Sequence, residues 1–217
     1  MHDSDSFIEE VSEAVRRDRL FGYFRKYGWI ALVVVLLIVG GAAWREYSKA
    51  QQRAEAQAQG DRILAALDAE DAAARHEALA EIETGDGAQA VVEMLAGAEA
   101  LAAGDPAAAA EALRAVEENA ELDPVYRQMA TLKRVMLMTS EMPPQERIDA
   151  LAPLTTPGAA FRVLAEEQIA LAEIEQGDRE AALSRLRSLV EDTEATGALR
   201  QRANRLILAL GGEPDAA

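Results

Sequence analysis

The chain has 217 residues, half of them hydrophobic but only 5% aromatic, with no cysteine and a formal charge of -16. Without cysteine it offers no thiol nucleophile, thiolate metal site or disulfide, and an acidic surface of this size repels phosphate backbones, which argues against nucleic acid as a partner. The acid is uneven, because residues 1–53 hold 8 Lys+Arg against 7 Asp+Glu whereas residues 54–217 hold 14 against 31.

The amino-terminal tail, residues 1–26, carries a capping box, Ser6 followed by Glu9, after which Phe7, Ile8, Val11 and Val15 fall on one helical face. This predicts an amphipathic helix beside a membrane or docked on a partner. An uncharged run, YGWIALVVVLLIVGGAAW, then occupies Tyr27 to Trp44. As a helix it spans roughly 27 Å, close to the hydrocarbon thickness of a bilayer, and it predicts one transmembrane anchor over residues 27–44. Trp29 and Trp44, with Tyr27 and Tyr47 at the margins, fit the aromatic belts of the two membrane interfaces and are the candidate membrane-anchor side chains. A cleavable signal peptide is the competing reading, since Gly41, Ala42 and Ala43 are small enough for signal peptidase. An amino-terminal region of this length is long for a signal, so the uncleaved anchor is preferred. Arg16, Arg17, Arg19, Arg25 and Lys26 precede the run, and Arg45, Lys49, Arg53 and Arg62 follow it. That balance places the tail in the cytoplasm and the large domain outside.

Residues 45–60 are rich in Gln, Ala and charge, and predict a helical stalk. Beyond them, residues 61–217 read as one all-α domain, because apolar spacings of three and four recur and no apolar/polar alternation of β-branched residues appears. Asp68, Glu70 and Asp71 lie close together but lack the spacing and glycine of a calcium loop. Gly85-Asp86, Gly104-Asp105 and Gly177-Asp178 each join a helix-stopping glycine to a capping aspartate, while Asp105-Pro106, Asp123-Pro124 and Thr156-Pro157 place a cap before a proline at the first helical position. Between these marks run apolar stripes: Val91, Met94, Leu95, Ala98 and Leu101; Val125, Met129, Leu132 and Met136; Leu164, Leu171 and Ile174; Ala182, Leu186 and Leu189; and Leu199, Ala203, Leu206 and Leu210. The abundant alanines let neighbouring helices approach closely.

An internal repeat emerges from the second helices. Ala110, Leu113 and Val116 match Ile148, Leu151 and Leu154 at an offset of 38, and Leu183, Leu186 and Leu189 at a further 35. The spacing is near the helix pair of about 34 residues in tetratricopeptide arrays. Three helix pairs and a capping helix at Thr196 to Leu210 are expected, forming a tetratricopeptide-like solenoid after a single amino-terminal transmembrane helix.

No catalytic, cofactor-binding or metal-ligating residue stands out. The histidines are His2 and His76; His76-Glu77 lacks the second histidine of a zinc-protease helix, and neither a phosphate loop nor a nucleophile elbow is present. A binding scaffold is expected rather than an enzyme, with no cofactor and no small-molecule substrate; a self-assembling protein that braces an envelope complex is the alternative. No side chain is marked as facing a partner.

The short tail, an anchor ending in GGAAWREY, the tract LAGAEALAAGDPAAAAEAL, and FRVLAEEQIALAEIEQGDREAAL followed by TGALRQRANRLILAL together resemble the YfgM-type ancillary SecYEG translocon subunit family. The resemblance implies a single-pass inner-membrane protein with a periplasmic tetratricopeptide-like domain. Its implied partners are the SecYEG translocon, a membrane-anchored periplasmic chaperone and emerging polypeptides. The sequence departs from the family's pattern in its longer, acidic amphipathic tail.

Overall fold

A computed structural model describes the backbone of residues 3–213, and the side chains of Lys26 and of residues 29–30, 32–85 and 88–213. No proline precedes Pro106, so nothing breaks the first helix, α1, which runs Asp3–Leu67. Ser6 therefore lies inside a helix rather than capping one, and the side chains of the expected amphipathic face lie outside the described residues. The chain divides into two units, residues 1–59 and residues 60–217.

In the first unit, Trp29, Leu32, Leu36, Leu37, Ile38, Trp44 and Tyr47 are all exposed. Among the described residues, no helix is long and apolar enough to cross a membrane. Tyr27, Gly28 and Ala31 belong to the apolar run but lie outside the described residues, which leaves positions 29–30 and 32–44 of it. The transmembrane helix expected over 27–44 is thus not met within the described residues.

The second unit is helical throughout, and the described residues contain no strand. It comprises the end of α1, then α2 (Ala72–Ala80), α3 (Asp86–Ala102), α4 (Pro106–Glu118), α5 (Pro124–Leu137), α6 (Pro144–Leu151), a short 3-10 helix (Ala152–Thr155), α7 (Arg162–Gln176), α8 (Arg179–Glu191) and α9 (Gly197–Ala209). From α2 onward each helix packs chiefly on its neighbour in sequence. Of the expected pairs, α3 with α4 and α7 with α8 form closely and α9 closes the series, whereas α5 packs mainly on α4 and α6 mainly on α7, so the expected pair of α5 with α6 is the loosest junction of the succession.

Local chemistry sets most of the boundaries. Asp105 accepts from the Ala108 amide at 2.9 Å, Asp178 from Ala181 at 3.0 Å, and Thr196 from Leu199 at 3.2 Å. Gly104 and Gly177 adopt left-handed φ of 84° and 82°, which lets the next amide return to the preceding helix. Two expected starts differ. Gly85 itself occupies the cap position, so Asp86 is the first residue of α3. Thr156-Pro157 opens no helix, because Gly158 turns into the left-handed region at φ 84° immediately afterwards; α7 begins only at Arg162. Two further starts are unanticipated: Asp71, expected only as part of an acidic cluster, accepts from the Ala74 amide at 2.8 Å and caps α2, and Pro144 opens α6.

Four apolar clusters follow one another along the chain. Ala66, Leu79 and Ala96 join α1, α2 and α3; Ala90, Leu113, Val116 and Ala130 join α3, α4 and α5. Leu132, Val135, Leu151, Ala165 and Ile169 join α5, α6 and α7; Ala170, Leu186, Leu189, Leu199, Ala203 and Ile207 join α7, α8 and α9. Leu151, Leu154, Leu186 and Leu189 of the repeat alignment are all buried.

The stripes on α3, α5 and α7 require correction. On α3 the buried positions are Ala90, Val92, Ala96, Gly97 and Ala100, whereas Val91, Ala98 and Leu101 are exposed. Val125 and Met136 on α5 and Leu164 on α7 are likewise exposed, beside buried Ala130, Val135 and Ala165. These helices contact neighbours on two sides, so small side chains occupy the seams and the larger ones are displaced outward. A Cβ on Gly97 would sit 3.3 Å from the Ala109 carbonyl oxygen and 3.4 Å from the Ala112 Cβ, which shows how near α3 and α4 lie.

Adjacent substitutions on α3 test this register. Ala100→Leu, at a position 1% exposed, is expected to destabilise the full-length chain by about 1–3 kcal/mol through overpacking. Leu101→Ala, at a position 49% exposed, should cost less than about 1 kcal/mol. Urea unfolding midpoints would check both; the reverse order would restore the stripe expected from sequence.

Candidate interaction site

Two of the exposed large apolar side chains of the second unit, Leu101 and Met136, line one concavity. Met94, Gly97, Ala98 and Leu101 of α3, Ala109 and Leu113 of α4, and Lys133, Met136 and Leu137 of α5 line an open pocket of about 330 Å³. The small residues Gly97, Ala98 and Ala109 leave the space, and Met94, Leu101, Leu113, Met136 and Leu137 wall it. Leu101 and Met136 are 49% and 52% exposed, so this apolar surface meets solvent instead of completing a core. Met136 has a flexible, polarisable side chain suited to adaptable contact. A volume at the lower end of ligand pockets, roughly 300–1,000 Å³, suits a few apolar side chains of a partner.

A second concavity, of about 400 Å³, is polar and lies between α7 and α8, lined by Arg162, Glu166, Ser184, Arg185, Ser188, Leu189 and Asp192 among others. Its charges are already matched. Arg185 donates to Glu173 at 2.7 Å and to Glu166, and Arg162 lies 2.7 Å from Asp192. Hydrogen bonds from Arg185 to Glu173, the larger effect, and to Glu166 raise the guanidinium pKa above its ordinary value. Asp192 is held below the usual carboxylate range first by the Glu194 amide, 2.8 Å away, and then by Arg162. This concavity is a set of internal ion pairs that bind α7 to its neighbours.

Such pairs recur at other seams. Arg75 bonds Glu99 across α2 and α3 at 2.7 Å, Arg134 bonds Glu117 across α5 and α4 at 2.6 Å, and Arg202 bonds Glu167 across α9 and α7 at 2.6 Å. Arg147 of α6, only 3% exposed, pairs with Glu175 of α7.

Of the residues singled out from sequence as membrane anchors, Tyr27 lies outside the described residues. Trp29 is exposed, and Trp44 and Tyr47 stack obliquely with ring centroids 6.4 Å apart. Gln51 donates to the Tyr47 hydroxyl at 2.9 Å. The Nδ1 of His76 lies 2.8 Å from the Ala96 carbonyl oxygen, and since a carbonyl only accepts, this tautomer carries the proton on Nδ1. It links α2 to α3. Among the described residues no group of His, Cys, Asp and Glu is arranged to hold a metal ion. Sequence reasoning named no pocket residue as partner-facing. The available signal was the paired occurrence of small and large apolar residues on α3, which periodicity alone assigned to a single core stripe.

Sequential helix pairs, short capped turns and an exposed apolar pocket define a helical-repeat protein. The sequence model of the tetratricopeptide repeat-like domain matches residues 22–182. The chain belongs to that family, whose stacked helix pairs mediate binding of protein partners. No curated protein and no solved structure matches the chain.

A pH prediction follows from Asp192. Its folded carboxyl holds a proton less tightly than the unfolded one, so the unfolded chain gains the extra proton as pH falls. The associated stability is complete above the unfolded pKa of about 3.9 and is lost as pH falls through the lower folded value. Asp192→Asn should lower the melting temperature near neutral pH and reduce its acid dependence below about pH 4, measured by thermal unfolding of the full chain.

Proposed function

We propose that the chain is a non-enzymatic, single-pass scaffold of the inner membrane, with a cytoplasmic amino terminus and a periplasmic helical domain. It binds protein partners near the Sec translocon and, with a membrane-anchored periplasmic chaperone, assists emerging polypeptides. The observation that carries the binding role is the open apolar pocket between α3, α4 and α5, set in a domain of a protein-binding repeat family. The uncharged run from Tyr27 to Trp44, with its aromatic margins, supports the anchor. The basic residues before the run support its orientation. The resemblance to the YfgM-type family supplies the translocon and chaperone as partners.

The test is photo-crosslinking in intact membranes, with a photoreactive residue in place of Lys133 at the pocket rim. Translocon or chaperone components should be captured from this position, and far less from Leu208, which is exposed on α9. Recovery of neither component would overturn the proposed placement.

A further inference from the structure

The charge around the pocket specifies what kind of segment it receives. Residues 60–126 hold 16 Asp+Glu against 3 Lys+Arg, whereas residues 127–217 hold 14 against 11. The acidity of the domain is therefore concentrated in the part that contributes α3 and α4. Arg75 is bonded to Glu99, and Arg114 lies 3.7 Å from Glu111, which further offsets the few cations there. Helix α3 itself carries no Lys or Arg. Glu93 stands one helical turn before Gly97 on α3, accepting from Gln89 at 2.8 Å, and Asp105, the cap of α4, lies in the turn between Leu101 and Ala109. On the opposite wall Lys133 is the cation of the lining, and Arg134 beside it is bonded to Glu117.

From this arrangement, and resting on the scaffold reading above, we propose that the pocket binds a basic amphipathic segment of a partner polypeptide. The segment's apolar side chains enter between Leu101, Leu113 and Met136. Its Lys and Arg residues lie over the acidic margin of α3 and α4. Apolar burial supplies the affinity, and the surrounding field selects basic over acidic segments and speeds their encounter. Lys133 opposes such a segment, so reversing its charge strengthens binding.

The experiment uses the full chain in nanodiscs of zwitterionic lipid, with empty nanodiscs as the blank. The probes are two fluorescent synthetic helices with the same leucine face, one carrying lysines and the other glutamates on the polar face. The lysine peptide is expected to bind at least about tenfold more tightly, with the difference shrinking as salt is added. Leu101→Gln combined with Met136→Gln, both at exposed positions, should weaken it about tenfold, and Lys133→Glu should tighten it a few-fold. Equal binding of the two peptides, or binding unaffected by the glutamine pair, overturns the proposal. If neither peptide binds while the Lys133 photoprobe still captures translocon or chaperone components, the scaffold reading stands and the basic-segment proposal falls. Concentration-dependent self-association abolished by the glutamine pair would assign the pocket to a second copy of the chain and also overturn it.

Discussion

Close approach of neighbouring helices through alanine and glycine is the constraint on which the helical domain depends. Ala90, Ala96, Ala100, Ala109, Ala112 and Ala130 are buried in the first pairs, and Ala165, Ala170, Ala172, Ala182 and Ala203 in the later ones. A side chain of one carbon fills little space, so backbones draw together and dispersion contacts accumulate along the seam. Larger residues then either plug the gaps between pairs, as Leu151, Leu186 and Leu189 do, or are displaced outward. The pocket between α3 and α5 is a consequence of the second outcome.

Arginine–glutamate pairs add geometry to this packing. Arg134 with Glu117, Arg185 with Glu173 and Arg202 with Glu167 each cross from one helix to another, with carboxylates that are largely or wholly withdrawn from water. Desolvating such charges offsets much of their attraction, so their net contribution to stability is small. Their directional forks fix the rotation and register of each helix against the next, which a smooth alanine seam does poorly. The acidic excess of the later repeats is largely absorbed in these bonds. In α3 and α4 six carboxylates stand against one cation, Arg114, so less of the excess is matched within the pair.

On the proposed reading, a binding domain of this kind gains from being held where its partners are produced. Confinement raises the effective concentration of partner and site without adding any contact. A small pocket offers modest affinity by itself, and that suits a scaffold that meets successive partners and must release each of them.

The sequence by itself determined the helical class, the repeating succession of helices and several of their ends. Asp105, Asp123 and Asp178 cap, and Gly104 and Gly177 turn, through interactions spanning only a few residues. Such local chemistry is readable from spacing. The repeat was legible for the same reason, since Leu151, Leu154, Leu186 and Leu189 recur at fixed offsets and are buried. Thr156-Pro157 misled because a cap and a proline permit a helix without requiring one, and Gly158 ended it. The candidate site was not legible. Periodicity located an apolar stripe on α3 but was blind to its two sides, and placed Leu101 in the core. Only the tertiary structure decided that Ala96, Gly97 and Ala100 face the neighbours and that Leu101 and Met136 face solvent together. That choice depends on how closely α3, α4 and α5 approach, a distance that no single helix encodes.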